Sequence, residues 1–391
     1  MPLNILPRLF CTLALLGISS SFAEGKTDEE TELEKQEALE ERLALEQEIK
    51  GRFSYSFNDI AEQLVTVSCS GPQGRSSGSG FVATLDGKTY LFTNQHVILG
   101  AETISFKTAT GRLLRPRSVE LAARRDIARL LLQDTEGLRV SESMQKEDPV
   151  GVFGNSEGGG VATELYGKVT GITPDKVEVS ADFVSGNSGS PVLNLDQEVI
   201  GIASYVSWKT DKDDETVTRR FCYRLTDEQW GAVNWKKYNE KYGKLYIRNE
   251  RLIDSIFDAA TIWYGNPFSR MSFEDHRDAG LRKWADEHNR MINRIERTMD
   301  KRLTQRELNN VNKSIRRDMF DSAEDLSEAC RNRAHQMQFL AEQKELTGFL
   351  RNAFERLAAR MNYAAGEIEE YGSKLAEHNY FYFESEPTSS Y

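Results

Sequence analysis

Gly186-Asn187-Ser188-Gly189-Ser190-Pro191 lies between an irregular segment and the apolar run Val192-Leu193-Asn194. Glycines on both sides of Asn187-Ser188 let the backbone turn sharply, so that a serine hydroxyl projects while neighbouring N–H groups converge. The same string also reads as a plain turn between strands, because Gly, Ser, Asn and Pro are the residues turns favour. What lies upstream separates the two readings.

From Leu64 onward the chain consists of short β-branched and aromatic runs punctuated by Gly, Ser and Asp, the texture of an all-β domain. The runs fall into two sets of six: about 63–70, 78–84, 88–93, 102–107, 112–120 and 127–132, then 149–153, 161–172, 176–181, 190–194, 198–206 and 217–224. That count predicts two small closed sheets side by side, with any site built in the cleft between them. His96 follows the first set's third strand in Thr93-Asn94-Gln95-His96-Val97-Ile98. Asp126 opens the apolar run Asp126-Ile127-Ala128-Arg129-Leu130-Leu131-Leu132, where an unpaired carboxylate would be costly. An imidazole N–H would satisfy it, and a carboxylate so placed fixes the tautomer that general-base chemistry needs.

Thr-Asn-Gln-His-Val, Asp-Ile-Ala-Arg-Leu and Gly-Asn-Ser-Gly-Ser-Pro, in that order, resemble the three signatures of trypsin-like serine peptidases, and most closely those of the bacterial HtrA and glutamyl endopeptidase branches. The resemblance covers about 175 residues. It implies an all-β double six-stranded barrel of the chymotrypsin-like kind over residues 54–228. It also implies His96 as general base and acid, Asp126 as its orienting carboxylate and Ser188 as nucleophile. The N–H groups of Gly186 and Ser188 would form the oxyanion hole. By the same resemblance Ser204 bonds the catalytic acid, while Tyr205 and Val206 line the primary pocket. Val206 favours small aliphatic side chains there, whereas Asp182, six residues before Ser188, stands where an acid selects Arg or Lys. Asn187 is neutral where zymogen-activated relatives carry an acid, so activation by cleavage to form an ion pair is not expected. The chemistry requires no cofactor and no metal.

The remainder of the chain frames this domain. The apolar run of residues 9–18 follows Arg8 and precedes Ser21-Phe22-Ala23, which reads as a secretory signal peptide over 1–23. Periplasmic or secreted localisation is therefore expected, with no stable membrane insertion after cleavage. Residues 24–50 hold eleven acids against four bases, an acidic leader (24–53) that is helical or disordered. The mature chain keeps Cys69, Cys222 and Cys330, an odd number. A net charge of −11 argues against nucleic acid as a partner and leaves a protein or peptide substrate.

After Leu225 the β texture ends. Thr226-Asp227-Glu228-Gln229 reads as a capping box, and an all-α C-terminal region is predicted over 229–391, with helices near 227–243, 250–264, 273–302, 305–342 and 348–378. Leu281, Trp284, His288, Met291, Ile292 and Ile295 recur at helical spacing and predict one buried stripe. No PDZ-like module is read here, a departure from the HtrA pattern. The helices read either as a homo-oligomer or partner-protein module, or as a scaffold packed on the peptidase. The competing reading of the whole chain is a catalytically silent peptidase-fold scaffold acting through those helices.

Overall fold

The computed structural model describes residues 28–71, 74–133, 135–156, 161–184, 186–210, 216–265, 269–272, 278–299 and 304–377. The expected signal peptide over 1–23 lies outside them. The chain divides into two units, residues 1–48 and 49–391. The first holds most of helix α1 (Asp28–Lys50), whose Leu39 and Leu43 stay exposed.

The second unit opens with strands β1 (Leu64–Gly71), β2 (Gly74–Leu85) and β3 (Lys88–Thr93), then the one-turn helix α2 (Gln95–Ile98). Strands β4 (Thr103–Thr108), β5 (Leu113–Leu114), β6 (Val119–Ala122), β7 (Ala128–Leu131) and β8 (Leu138–Arg139) follow. A second group comprises β9 (Pro149–Ser156), β10 (Val161–Ile172), β11 (Lys176–Val179), β12 (Pro191–Leu193), β13 (Val199–Thr210) and β14 (Thr216–Tyr223). This second group closes into a six-stranded barrel, β10-β11-β14-β13-β12-β9, around Val150, Val152, Val169, Val177 and Cys222. Alternation along each strand supplies those inward residues.

The first group differs from the expected closed barrel. It forms a nine-stranded sheet in the order β15-β6-β7-β3-β2-β1-β4-β5, with β8 beside β2 and β15 contributed by Trp230–Val233. The expected strand 112–120 bends, giving the short β5 and β6, and its two parts lie at opposite ends of the ladder. The chain itself joins those ends, and residues 117 and 118 keep backbone hydrogen bonds to Leu131 across the bend. Only two residues pair in β5, too few to close the ring by a ladder.

Trp230–Val233 corrects the helix expected from 227. Within the expected capping box Glu228 is a buried carboxylate 3.2 Å from the Arg125 guanidinium, and Asp227 adopts a left-handed φ of 53° that a helix cannot continue. Freed from that turn, β15 pairs with β6, and the Trp230 ring lies 4.3 Å from the Arg129 guanidinium.

Arg125 itself is 1% exposed. It reaches Asp175 at 2.7 Å and donates to the carbonyls of Arg224 and Thr226 at 2.7 and 2.6 Å. It thereby ties the residue before Asp126 to the second barrel and its exit. Among the described residues, Arg125→Ala leaves the buried Glu228 with only the longer 3.8 Å ion pair to the exposed Arg124, and we expect a loss of about 3–5 kcal/mol in urea unfolding, most of it recovered when Glu228 is also replaced by an apolar residue.

The helices that follow are α3 (Trp235–Tyr238), continued by a π-turn at 239–243, then α4 (Lys244–Gly265), α5 (Ala279–Met299), α6 (Gln305–Ala341) and α7 (Gly348–Glu377). The expected stripe on α5 is buried throughout, and His288 spends a ring nitrogen on the Ser269 carbonyl at 3.0 Å, a satisfied core histidine. Thr304 and Glu307 form the predicted capping box of α6. The helices do not hang free of the sheets. One apolar cluster runs from Val65, Val67, Val82, Leu91 and Leu121 of the first sheet into Tyr242, Tyr246, Leu350 and Phe354. Each large apolar side chain so buried contributes about 1.5–3 kcal/mol. The three described cysteines are free and buried, one each in β1, β14 and α6.

Candidate active site

His96 occupies the second position of α2, directly after β3 delivers Asn94 to the edge of the sheet. Its Nδ1 lies 2.5 Å from Asp126 Oδ2, and its backbone N–H donates to Asp126 Oδ1 at 3.1 Å, so one carboxylate holds both the ring and the main chain. Asp126 is 4% exposed and its own carbonyl accepts from Asn94 Nδ2 at 2.7 Å. The imidazole retains 35% of its surface. Burial works against its charged form, but the Asp126 carboxylate, by charge and by hydrogen bond, and Glu250 of α4 more distantly, raise its pKa above the ordinary histidine value. No group of His, Cys, Asp and Glu that could hold a metal occurs among the described residues.

Ser204 joins the pair through a bulge. The β13–β14 register slips between Ala203 and Tyr205, leaving Ser204 unpaired. An extra residue of this kind re-aims its side chain. Ser204 Oγ donates to Asp126 Oδ2 at 3.4 Å, and its carbonyl accepts from Ser188 Oγ at 3.3 Å. Sequence, bulge and distances thus bring His96, Asp126, Ser188 and Ser204 to one place between the first sheet and the barrel. Among the described residues the Ser188 hydroxyl bonds the Ser204 carbonyl and not the imidazole.

The turn bearing Ser188 is braced from several sides. Gly186 and Gly189 have φ of 96° and 91°, values that L side chains rarely adopt. A Cβ on Gly189 would collide with the Ser79 carbonyl. Ser79, on β2, receives little notice in a sequence reading, yet its N–H donates to the Ser188 carbonyl and its Oγ to the Gly186 carbonyl, both at 2.9 Å. The signal for it was Gly78-Ser79-Gly80, since glycines inside a strand mark a close approach of another backbone. Asn187 is buried and accepts from the Val184 N–H at 3.0 Å, which gives a neutral residue a fixed structural task. With the Gly186 carbonyl turned to Ser79, the N–H groups of Gly186 and Ser188 make no hydrogen bond among the described residues.

Tyr205 stacks on Phe221 at 5.1 Å, and its hydroxyl accepts from Lys176 Nζ at 3.0 Å. Val206 is half-buried beside Phe183 in the barrel cluster and pairs in register with Arg220. Arg220 reaches across to Asp182 as an ion pair and donates from Nε to the Phe183 carbonyl at 3.1 Å. The carboxylate of Asp182 therefore already has a guanidinium counter-ion.

Residues 78–202 match the family model described as "Trypsin-like peptidase domain". The chain is 32% identical over 143 residues to a "Probable periplasmic serine endoprotease DegP-like" of Halomonas elongata, covering 34% of this chain and 30% of that protein. It is 34% identical over 150 residues to the protein of the same description from Rhizobium meliloti, covering 34% and 29%. The chain therefore spans less than a third of the length of these curated relatives. A solved structure, "Crystal structure of Rv3671c protease from M. tuberculosis, active form", aligns with 20% identity and a TM-score of 0.35 over 43% of this chain and 78% of that one. Over the matched span, and in the order in which its three signatures follow one another along this fold, the chain is similar to the trypsin-like peptidase domain and to the DegP-like serine endoproteases.

Proposed function

We propose that the protein is a serine endopeptidase that cleaves peptide bonds through an acyl-enzyme on Ser188, with His96 as base and acid and Asp126 as orienting group. The observation that carries the reading is the 2.5 Å contact between His96 Nδ1 and a buried Asp126, which leaves Nε2 to take the serine proton. Ser188 Oγ attacks the scissile carbonyl as the proton moves to Nε2, and the imidazolium returns it to the leaving amine. The N–H groups of Gly186 and Ser188 receive the developing oxyanion, each such donor accounting for about 10²–10³ in rate. A substrate strand pairing with the edge of β13 would bring its own N–H to the Ser204 carbonyl. That competes with the present Ser188 bond and releases the hydroxyl toward His96.

The nine-stranded sheet, joined end to end through residues 115–118, is read as the counterpart of the closed barrel, so that the site lies between two barrels in a peptidase domain spanning 54–228. The primary pocket takes small or aliphatic side chains against Val206 and Tyr205. Asp182 does not select Arg or Lys, because a basic substrate group would have to displace Arg220. A periplasmic or secreted location fits the expected signal over 1–23 and the descriptions of the relatives. No helix among the described residues is long and apolar enough to cross a membrane. Oligomer or partner contacts, where they form, would use the outer faces of the helices in 229–391.

Labelling with a fluorophosphonate tests the reading. The native protein is expected to react at Ser188, with the adduct found on the peptide containing residues 186–191. Absence of any adduct in folded protein would leave the silent scaffold as the better account.

A further inference from the structure

Gln95 immediately precedes His96 and is fully buried. Its Nε2 donates to the carbonyls of Ala122 at 3.2 Å and Arg125 at 2.9 Å, which bracket the turn that leads into Asp126. Its Oε1 accepts from Thr347 Oγ1 at 3.0 Å. Thr347 stands in the connection between α6 and α7, 252 residues further along the chain. Its hydroxyl also accepts from the Leu350 N–H at 3.3 Å and so caps α7. A hydroxyl has one proton, and with an N–H as its donor partner that proton goes to Gln95 Oε1. The amide orientation of Gln95 is thereby determined, oxygen toward the helices and nitrogen toward the Asp126 turn.

Three further hydrogen bonds, made by Gly348 and Asn239, hold the same region from the helical side. Gly348 N–H donates to the Ala123 carbonyl at 2.6 Å, and a Cβ there would lie 3.0 Å from that oxygen. At the other end of α2, Asn239 Oδ1 accepts from the Gly100 N–H and Asn239 Nδ2 donates to the Ala101 carbonyl, both at 2.7 Å. The four-residue helix that carries His96 is too short to hold itself, and both of its ends are fastened by residues from the helical half.

We propose that Thr347 is a positioning residue for His96 and Asp126, acting through Gln95, and that the α6–α7 connection is thereby a working part of the peptidase site. The proposal rests on the serine-peptidase reading above. Without the Thr347 proton, Gln95 Oε1 is buried and unpaired, and the amide is free to turn away from the two carbonyls that set the Asp126 turn. Asp126 and His96 then lose their mutual register while Ser188 and its turn, held by Ser79 and the barrel, stay in place. A misplacement of about 1 Å at a catalytic group can cost about 10²-fold in rate.

The test uses the full chain and the second-order rate of fluorophosphonate labelling measured across pH, with unfolding midpoints alongside. Thr347→Val is expected to label about 10- to 100-fold more slowly, with its pH midpoint moved down as the imidazole loses its carboxylate partner, and Thr347→Ser is expected to recover most of the rate. Thr347→Val also removes the α7 cap, so Gln95→Met serves as the second variant. It spares the cap and should slow labelling and shift the midpoint in the same sense. Combining the two substitutions should slow labelling no further than Gln95→Met alone. Wild-type labelling together with an unchanged rate and midpoint in Gln95→Met would overturn the positioning role, as would single effects that multiply in the double variant. Failure of the wild-type chain to label sinks the peptidase reading itself, a separate result.

Discussion

Ser188→Ala is expected to reduce peptide hydrolysis by about 10⁴- to 10⁶-fold, with no measurable change in unfolding. The size of the loss follows from the division of labour at the site. Removing the hydroxyl removes the only path through a covalent intermediate. His96, Asp126 and the N–H groups of Gly186 and Ser188 remain, and such a remnant still exceeds water by about 10³–10⁴. Stability should be spared because among the described residues Ser188 Oγ makes one long bond, 3.3 Å to the Ser204 carbonyl, while the turn is held by its main chain through Ser79. Turnover of a peptide library by wild type and variant at equal concentration gives the ratio. A variant within tenfold of wild type would exclude Ser188 as the nucleophile.

Asp126→Asn is expected to cost about 10⁴-fold in kcat, with a second signature in pH. The Asp126 carboxylate is the main influence that favours the His96 cation against burial. The reaction needs the neutral ring, so wild-type activity should rise with pH along an acid limb lying above the ordinary histidine value of about 6.5. An amide removes the negative charge and can present N–H to Nδ1, which puts the ring proton on Nε2, the nitrogen that must be free. The acid limb should then move to lower pH even as the plateau falls. The same side chain accepts the His96 N–H and the Ser204 hydroxyl, so some loss of stability accompanies the change. A plateau that falls with no movement of the acid limb would mean that Asp126 acts on the fold alone. Measuring kcat/KM from pH 4.5 to about 9 distinguishes the cases.

The strands and the candidate site were legible for different reasons. Alternation located the strands because each pairs locally and buries one face, and helical spacing located α5, α6 and α7 to within a few residues where they are described. The three signatures were legible because sharp turns and a buried acid impose residue types at single positions. What sequence could not reveal depends on partners far along the chain. Trp230–Val233 looked helical because Thr226 and Gln229 have capping-box spacing, and only the left-handed Asp227 and the Glu228–Arg125 pair show that the chain turns another way. Asp182 and Val206 point to opposite specificities in sequence, and the Arg220 counter-ion beside Asp182 lies 38 residues away along the chain. Gln95 sits inside a signature and Thr347 caps α7, but no local mark tells that the two side chains bond each other across the chain.

The distribution of the thiols bears on how the protein must be made. Cys69, Cys222 and Cys330 belong to the first sheet, the closed barrel and α6, one to each structural part. Burial raises the Cys69 thiol to about 11 and the Cys330 thiol to about 12, and the Cys222 thiol is raised as well. Among the described residues the three thiols are thus held protonated, and no two of them lie in the same part. In an oxidising compartment the danger falls entirely on the unfolded chain, where any pair of the three could join and staple together parts that belong to different cores. Each such link would have to be reduced before the barrel, the sheet and the helices could assemble.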